Sequence, residues 1–354
     1  QNNLSRLSKK TLQGVDEELA ARREVLVTET LNILTLLRHT LARHEGAKVS
    51  FVACEGPEIV RKYWDVWHRF GSGELEREVL CLLVNLACRS ECGRLAICQS
   101  SSGRPLLSSL LALISNDIGG KDVAAQQREM HLAAFAVLQN CVLSSASLQA
   151  IHKAGFFREA VKRLQPEFTM LHKYRLAYWE VLANAAFTTQ GQLILLKTDR
   201  LFRTLIAQMN EVKEDELKLI LTVLRNLALH HASKAHIAAV PSLVNSLVGC
   251  CTASSIEVKS LAAAALWAVA YNHRKARFEL KGQAHLKVLA QEEDSVLLSY
   301  RSLHPQGFVS GDRLTEWYKT QLVALDPLTS HQESKYLEIA AESFAQLMQL
   351  VRTT

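Results

Sequence analysis

Residues 222–237 read TVLRNLALHHASKAHI, the end of an apolar helix carrying an asparagine, then a short polar stretch, then a second apolar patch. The arrangement recurs as LCLLVNLACRSECGRLAI at 80–97, AFAVLQNCVLSSASLQAI at 134–151 and EVLANAAFTTQGQLIL at 180–195. The recurring residues are Asn85, Asn140, Asn184 and Asn226, and ALWAVAYNHRKARFEL at 265–280 is a fifth copy with Ala268 in the asparagine's place. Successive positions lie 55, 44, 42 and 42 residues apart. A fixed period of this length marks a chain of stacked supersecondary units, each burying its apolar face only against its neighbours.

Within a unit the pattern resolves into two short helices and one long one. The fourth long helix is predicted over 214–230, where Leu217, Ile220, Leu221, Leu224 and Leu227 make the stripe of a buried face. Pro241 opens the next helix in the first-turn position that tolerates it. In the second unit Gly155 marks a sharp turn between helices at 148–153 and 156–164. The longer first interval is explained by turn-rich loops at 99–103 and 115–127. A degenerate unit precedes these, in 31–43 and 49–70. The array of five to six units therefore covers 31–290, after a helical and polar lead-in at 1–30. In 291–354 the turn sequences HPQG, VSGD and DPLTS frame a short helix at 313–325. A final helix at 334–351 has Leu337, Ala340, Ala341, Phe344, Leu347 and Leu350 on one face, and docks on the last repeat as a cap because an open solenoid end exposes apolar surface.

Composition agrees with an all-α chain. Of 354 residues 48% are hydrophobic, with only 15 Gly and 6 Pro, which leaves enough apolar side chain for a large core and little punctuation for strands. The longest uncharged apolar stretch, 261–271, is far short of the ~20 residues that cross a bilayer, so no membrane span is expected. The start, QNNLSRLSKK, has no apolar segment after its basic residues and no initiator Met, and reads as a piece of a longer protein rather than a signal peptide. Cys54, Cys81, Cys88, Cys92, Cys98, Cys141, Cys250 and Cys251 form no CxxC pair with His nearby, so reduced structural thiols are expected and no metal or other cofactor.

Three-helix units of this period resemble those of the armadillo family, which implies an α-solenoid, a right-handed superhelix of three-helix repeats ended by a capping helix. The asparagine series resembles that of importin-α and β-catenin. Importin-α pairs each groove asparagine with a tryptophan four residues earlier; here Cys81, Ala136, Glu180 and Thr222 stand there, so nuclear-localisation-peptide binding is not implied. NLALHHASKAHI, AAAALWAVAYNHRKARFELK and YLEIAAESFAQLMQLV together resemble the C-terminal armadillo region of the rotatin family, large helical-repeat proteins of centrioles and basal bodies. That resemblance implies a cytoplasmic scaffold at the centrosome or ciliary base.

The asparagines suggest a peptide groove. Long helices stack about 8–10 Å apart, while an extended peptide advances roughly 10 Å in three residues. An amide that both donates and accepts can pair with a ligand's N–H and C=O together. Asn85, Asn140, Asn184 and Asn226 then form a ladder of clamps, unless each bonds the backbone of its own repeat, as buried polar groups commonly do. Residues eight, four and one before the asparagine share its face, which nominates Lys218, Arg225, Glu180 and Trp267. Trp267 is either a partner's anchor or a core residue under the cap. Basic residues gather at Lys153, Arg158, Lys162, Arg163, Lys173 and Arg175, and again from Arg274, Lys275 and Arg277 to Lys281 and Lys287. The second group supplies a basic rim. Phe156 and Phe157 read as core, so few aromatics are left to stack on bases and nucleic acid is disfavoured.

Catalytic patterns are missing. HHASKAH, with His230, His231 and His236, lacks the HExxH carboxylate and falls in an inter-repeat turn, and no P-loop, GxSxG or GxGxxG occurs. Glu292, Glu293 and Asp294 are expected in a polar loop. The sequence thus reads as a non-enzymatic scaffold that binds a helical or coiled-coil protein partner in centriole or basal-body assembly and cilium formation. A cargo or signalling adaptor gripping an extended peptide is the other reading.

Overall fold

The computed structural model describes residues 2–69, 73–99, 105–115, 125–303 and 332–353. Among these residues there are nineteen helices and no strand. They are α1 (Asn2–Arg43), α2 (Glu45–Ala53), α3 (Gly56–Arg69), α4 (Gly73–Ala87), α5 (Glu91–Cys98), α6 (Leu106–Ser115), α7 (Ala125–Cys141), α8 (Ser145–Lys153), α9 (Phe156–Arg163) and α10 (His172–Phe187). After them come α11 (Thr189–Leu196), α12 (Leu201–Met209), α13 (Glu214–Leu227), α14 (His231–Ala238), α15 (Pro241–Cys250), α16 (Ile256–Ala270), α17 (Arg274–Leu280), α18 (Gln283–Leu303) and α19 (Gln332–Arg352). The chain forms two compact units, 1–150 and 151–354.

In the first unit the long helices pack in a row, α1 on α4 and α4 on α7, with α2 against α5 beside them. One helix, α1, runs through both the expected lead-in and 31–43. In the second unit α10, α13, α16 and α19 form the row of long helices. The short helices α11, α14 and α17 make a second line, and α12, α15 and α18 a third. Helices α17, α18 and α19 thus occupy the same three stations as α14, α15 and α16. The C-terminal helix caps the row as the long helix of a complete unit, with Leu337, Ile339, Ala340, Ala341, Phe344, Leu347, Met348 and Val351 buried.

Burial explains the sequence of each long helix. Helix α16 lies between α13 and α19, and Ala262 to Ala265 are all at most 1% exposed, small enough to let both neighbours approach. Helix α10 instead fills its surroundings with Tyr174, Tyr178 and Trp179.

Two kinds of corner recur. Where a long helix turns into the next short one, a side chain caps the new helix: Ser90 accepts from the Gly93 N–H, Ser144 from Ser147, Thr188 from Gly191 and His273 from Ala276. At five of these corners the third residue of the new helix is small and buried (Gly93, Ser147, Gly191, Ser233, Ala276). A methyl group added at Gly93 would strike the Leu86 carbonyl, and one at Gly191 the Ala185 carbonyl. The corner between the two short helices takes a left-handed residue, at Glu55 (φ 58°), Gly155 (φ 83°) and Arg200 (φ 63°). Only one of these is glycine, so the sequence signals only that turn.

Several expected boundaries move. Helix α13 ends at Leu227, and HHASKAH is the opening of α14 rather than a turn. Residues 291–303 continue α18 instead of forming a polar loop, because Leu289, Val296 and Tyr300, spaced seven and four apart, are all buried on one face. The turns expected at 100–103 and 116–124, the HPQG, VSGD and DPLTS segments and the helix at 313–325 lie outside the described residues.

Candidate functional site

Most of the candidate residues sit on the row of long helices in the second unit. Glu180 and Asn184 are on α10, both half-buried; Lys218, Arg225 and Asn226 are on α13; Trp267 is on the last turn of α16.

Asn226 is 2% exposed. Its Nδ2 donates to the Ala183 carbonyl of α10 at 3.2 Å, and its Oδ1 accepts from Arg225 Nε at 3.2 Å and Nη2 at 3.1 Å. Arg225 is itself 7% exposed. Asn85, in the first unit, makes the same cross-helix bond, donating to the Arg38 carbonyl of α1 at 3.0 Å. Asn140 donates within its own helix, to the Ala136 carbonyl at 2.9 Å. These three amide N–H groups point at main-chain carbonyls of the protein, while Asn85, Asn140 and Asn184 remain half-buried.

Lys218 is held by carboxylates from two helices, Glu214 at 2.9 Å and Glu257 of α16. Burial works against its charge, but the bonds from Glu257 and Glu214 outweigh it and hold the ammonium above its ordinary 10.5. Glu214 is correspondingly held below the usual carboxylate range by Lys218 and by Ser255, whose hydroxyl donates at 2.7 Å. Tyr336 of α19 lies in the same field, its phenol pushed up by burial and then by Glu257. Lys218 therefore straps α13 to α16.

At the other end of α16, the rings of Trp267 and Tyr271 lie 5.2 Å apart at 33°. Trp267 is half-buried and Tyr271 is 45% exposed. Lys234 of α14, 8% exposed, donates to the Tyr271 carbonyl at 2.8 Å with its ammonium 5.3 Å from the ring centre. Burial lowers its pKa. Lys48 does the same for the Cys88 carbonyl at the end of α4, and Gln192 for the Asn226 carbonyl at 2.9 Å. Each caps a long helix from the first short helix of the same three-helix set. Of the basic rim, Arg274 and Lys275 are exposed and Arg277 is half-buried.

The first basic group includes a residue with an internal role. Arg175 of α10 bonds Glu216 of α13 through Nε at 2.9 Å and Nη2 at 2.7 Å, and Trp179 Nε1 donates to the same carboxylate at 2.8 Å. Such links join residues 40 to 43 apart: Arg38 with Glu78, Lys48 with Cys88, Arg175 with Glu216, Asn226 with Ala183. That is one repeat length, so pairing charged residues one period apart is the signal that finds Arg38 with Glu78 and Arg175 with Glu216, while the main-chain carbonyls of Cys88 and Ala183 leave no such mark. The acidic run of α18 also pairs: Glu292 accepts from Lys259 of α16 at 2.5 Å, and Glu293, its pKa raised by burial, accepts from Arg352 of α19 at 2.8 Å. His236 packs its ring 4.4 Å from that of Phe202. Among the described residues no three His, Cys, Asp or Glu side chains are placed to hold a metal ion, and no helix is long and apolar enough to cross a membrane.

Two solved structures share this architecture. An engineered protein from a structural genomics programme superposes with a TM-score of 0.55 at 17% identity, over 87% of this chain and 73% of its own. A designed armadillo repeat protein in complex with the peptide (KR)4 superposes at 0.50 with 17% identity, over 68% of this chain and 91% of its own. The chain has the armadillo-repeat fold. No protein-family model matches the chain. Rotatin of Mus musculus is 24% identical over 271 residues and rotatin of Homo sapiens 22% over 275, each match covering 74% of this armadillo-repeat chain. The chain spans 12% of the length of those rotatins.

Proposed function

We propose that this chain is a non-enzymatic scaffold whose row of long helices receives a helical or coiled-coil segment of a partner protein, acting in centriole or basal-body assembly and cilium formation. The observation that carries the helical choice is the direction of the asparagine amides. Asn85, Asn140 and Asn226 donate to the protein's own carbonyls, and the oxygen of Asn226 is occupied by Arg225. An extended ligand needs free donors and acceptors in register with its backbone, whereas a helical ligand is read by side chains at helical spacing. Glu180 on α10 and Trp267 on α16 are the half-buried contacts such a ligand would meet, with Lys218 and Arg225 holding the helices beneath it. The similarity to rotatin supports the centrosomal and ciliary setting.

The extended-peptide adaptor is the second reading, favoured by the designed armadillo protein in complex with (KR)4 and by the partial exposure of Asn85, Asn140 and Asn184. Proximity labelling in ciliated cells separates the two. Glu180→Lys with Trp267→Ala should abolish labelling of centriolar proteins while Asn85, Asn140 and Asn184→Ala leaves it intact. The reverse pattern selects the adaptor, and labelling that never includes centriolar proteins rejects the setting.

A further inference from the structure

Helix α17 carries an outward stripe in which an exposed aromatic ring lies between two exposed cations. Arg274 and Phe278 of α17 and Lys281, the residue capping its end, fall at i, i+4 and i+7, one helix face, and all three are exposed. Phe278, at 72%, is the most exposed large apolar side chain among the described residues. The opposite face of α17 is the anchored one, with Ala276 and Leu280 buried. At the station of Phe278 in the preceding unit stands Ala235, so the fold itself does not require an aromatic there. Among the described residues Arg274, Lys275, Arg277 and Lys281 have no ion-pair partner, although Arg163, Lys218, Lys259 and Arg352 each find a carboxylate. At the start of α17 the pKa of His273 is lowered first by burial and then by the neighbouring charges of His231, Lys234 and Lys275.

We propose that the stripe on α17 docks an acidic amphipathic helix of a partner protein, with an apolar side chain on Phe278 and carboxylates one turn to either side meeting Arg274 and Lys281. The spacing is that of one helix lying along another. Covering an exposed ring supplies apolar burial, and the cations supply orientation and on-rate. Duplex nucleic acid fits less well, because a phosphate backbone offers nothing apolar to cover the exposed Phe278 ring. The proposal rests on the scaffold reading but uses a different surface from the row of long helices.

The test is fluorescence anisotropy on the full chain with three labelled probes: a helix-stapled peptide of about 20 residues with a leucine face flanked by glutamates, its lysine counterpart, and duplex DNA of similar length. The acidic peptide should bind saturably and the lysine peptide should not. Phe278→Ala, and separately Arg274→Glu with Lys281→Glu, should each weaken acidic-peptide binding by about tenfold or more. These side chains are exposed, so the helical spectrum and melting should not change; if the double substitution misfolds, Lys275→Glu replaces it. The proposal is overturned if the acidic peptide does not bind, if it binds equally to every variant, or if DNA binds more tightly through the same residues. Failure of the acidic peptide to bind the unaltered chain, with centriolar labelling through Glu180 and Trp267 intact, refutes this proposal alone.

Discussion

Replacing Asn226 by alanine separates an asparagine that holds the protein together from one that waits for a ligand. The substitution removes a donor to the Ala183 carbonyl and the acceptor of two N–H groups of Arg225, in surroundings where Asn226 is 2% and Arg225 7% exposed. A buried polar group left unmet costs about 1–3 kcal/mol. The Ala183 carbonyl lies within α10 and keeps its helical bond, so most of the loss falls on the guanidinium, giving roughly 2–3 kcal/mol in all. For a unit of this size each kcal/mol moves Tm by about 2–4 °C, so a fall of roughly 5–10 °C is expected. Asn226→Asp keeps an acceptor for Arg225 and loses only the donor, and should fall by less. Repeat arrays melt through neighbours rather than all at once. Hydrogen exchange should therefore accelerate first in amides of α10 and α13. An unchanged Tm and unchanged exchange in Asn226→Ala, with partner binding lost, would refute the reasoning and return Asn226 to the ligand.

A paired glycine experiment tests the corners: Gly191→Ala pushes a methyl into the Ala185 carbonyl and should cost about 2–3 kcal/mol by overpacking. Gly249→Ala, with nothing within 4 Å, should be neutral or stabilise by up to about 1 kcal/mol through helix propensity. Both are read from urea midpoints. The Lys218 strap has a pH signature, because a raised lysine pKa adds stability that is complete below its ordinary 10.5 and lost as pH rises through the higher folded value. Lys218→Gln should therefore remove part of the alkaline fall in stability, measured by denaturant titration between neutral pH and about pH 11.

The period was legible because the asparagine and the apolar stripes repeat at 42 to 44 residues wherever the connections are short. Gly155 and Pro241 were legible because glycine enters the left-handed region without strain and proline's fixed φ suits the first turn of a helix. Arg200 and Glu55 were not, since a left-handed arginine or glutamate is imposed by packing on either side and leaves no mark in composition. Residues 291–303 misled for a related reason: a run of carboxylates looks solvated until Lys259 and Arg352, far away in sequence, are brought to it. The site was partly legible. Face arithmetic placed Lys218, Arg225 and Asn226 on α13, but not that Glu257 and the Ala183 carbonyl would occupy them, because those partners come from neighbouring units. Phe278 was passed over because an aromatic in an apolar pattern is ordinarily core; its 72% exposure is visible only once Ala276 and Leu280 are seen to anchor the other face.

The capped corners bear on where this chain can lengthen. Between long and short helices the link is one residue at 188 and three at 228–230 and 271–273, with a buried small residue just beyond, so there is no slack to absorb an insertion. The approaches to the long helices, at 164–171, 210–213 and 251–255, are eight, four and five residues long. Within the second unit these approaches recur along the edge where the long helices begin. A fluorescent reporter or an epitope spliced there would hang from that margin without changing the distance between neighbouring units, whereas the same cargo at a capped corner would lever two of them apart.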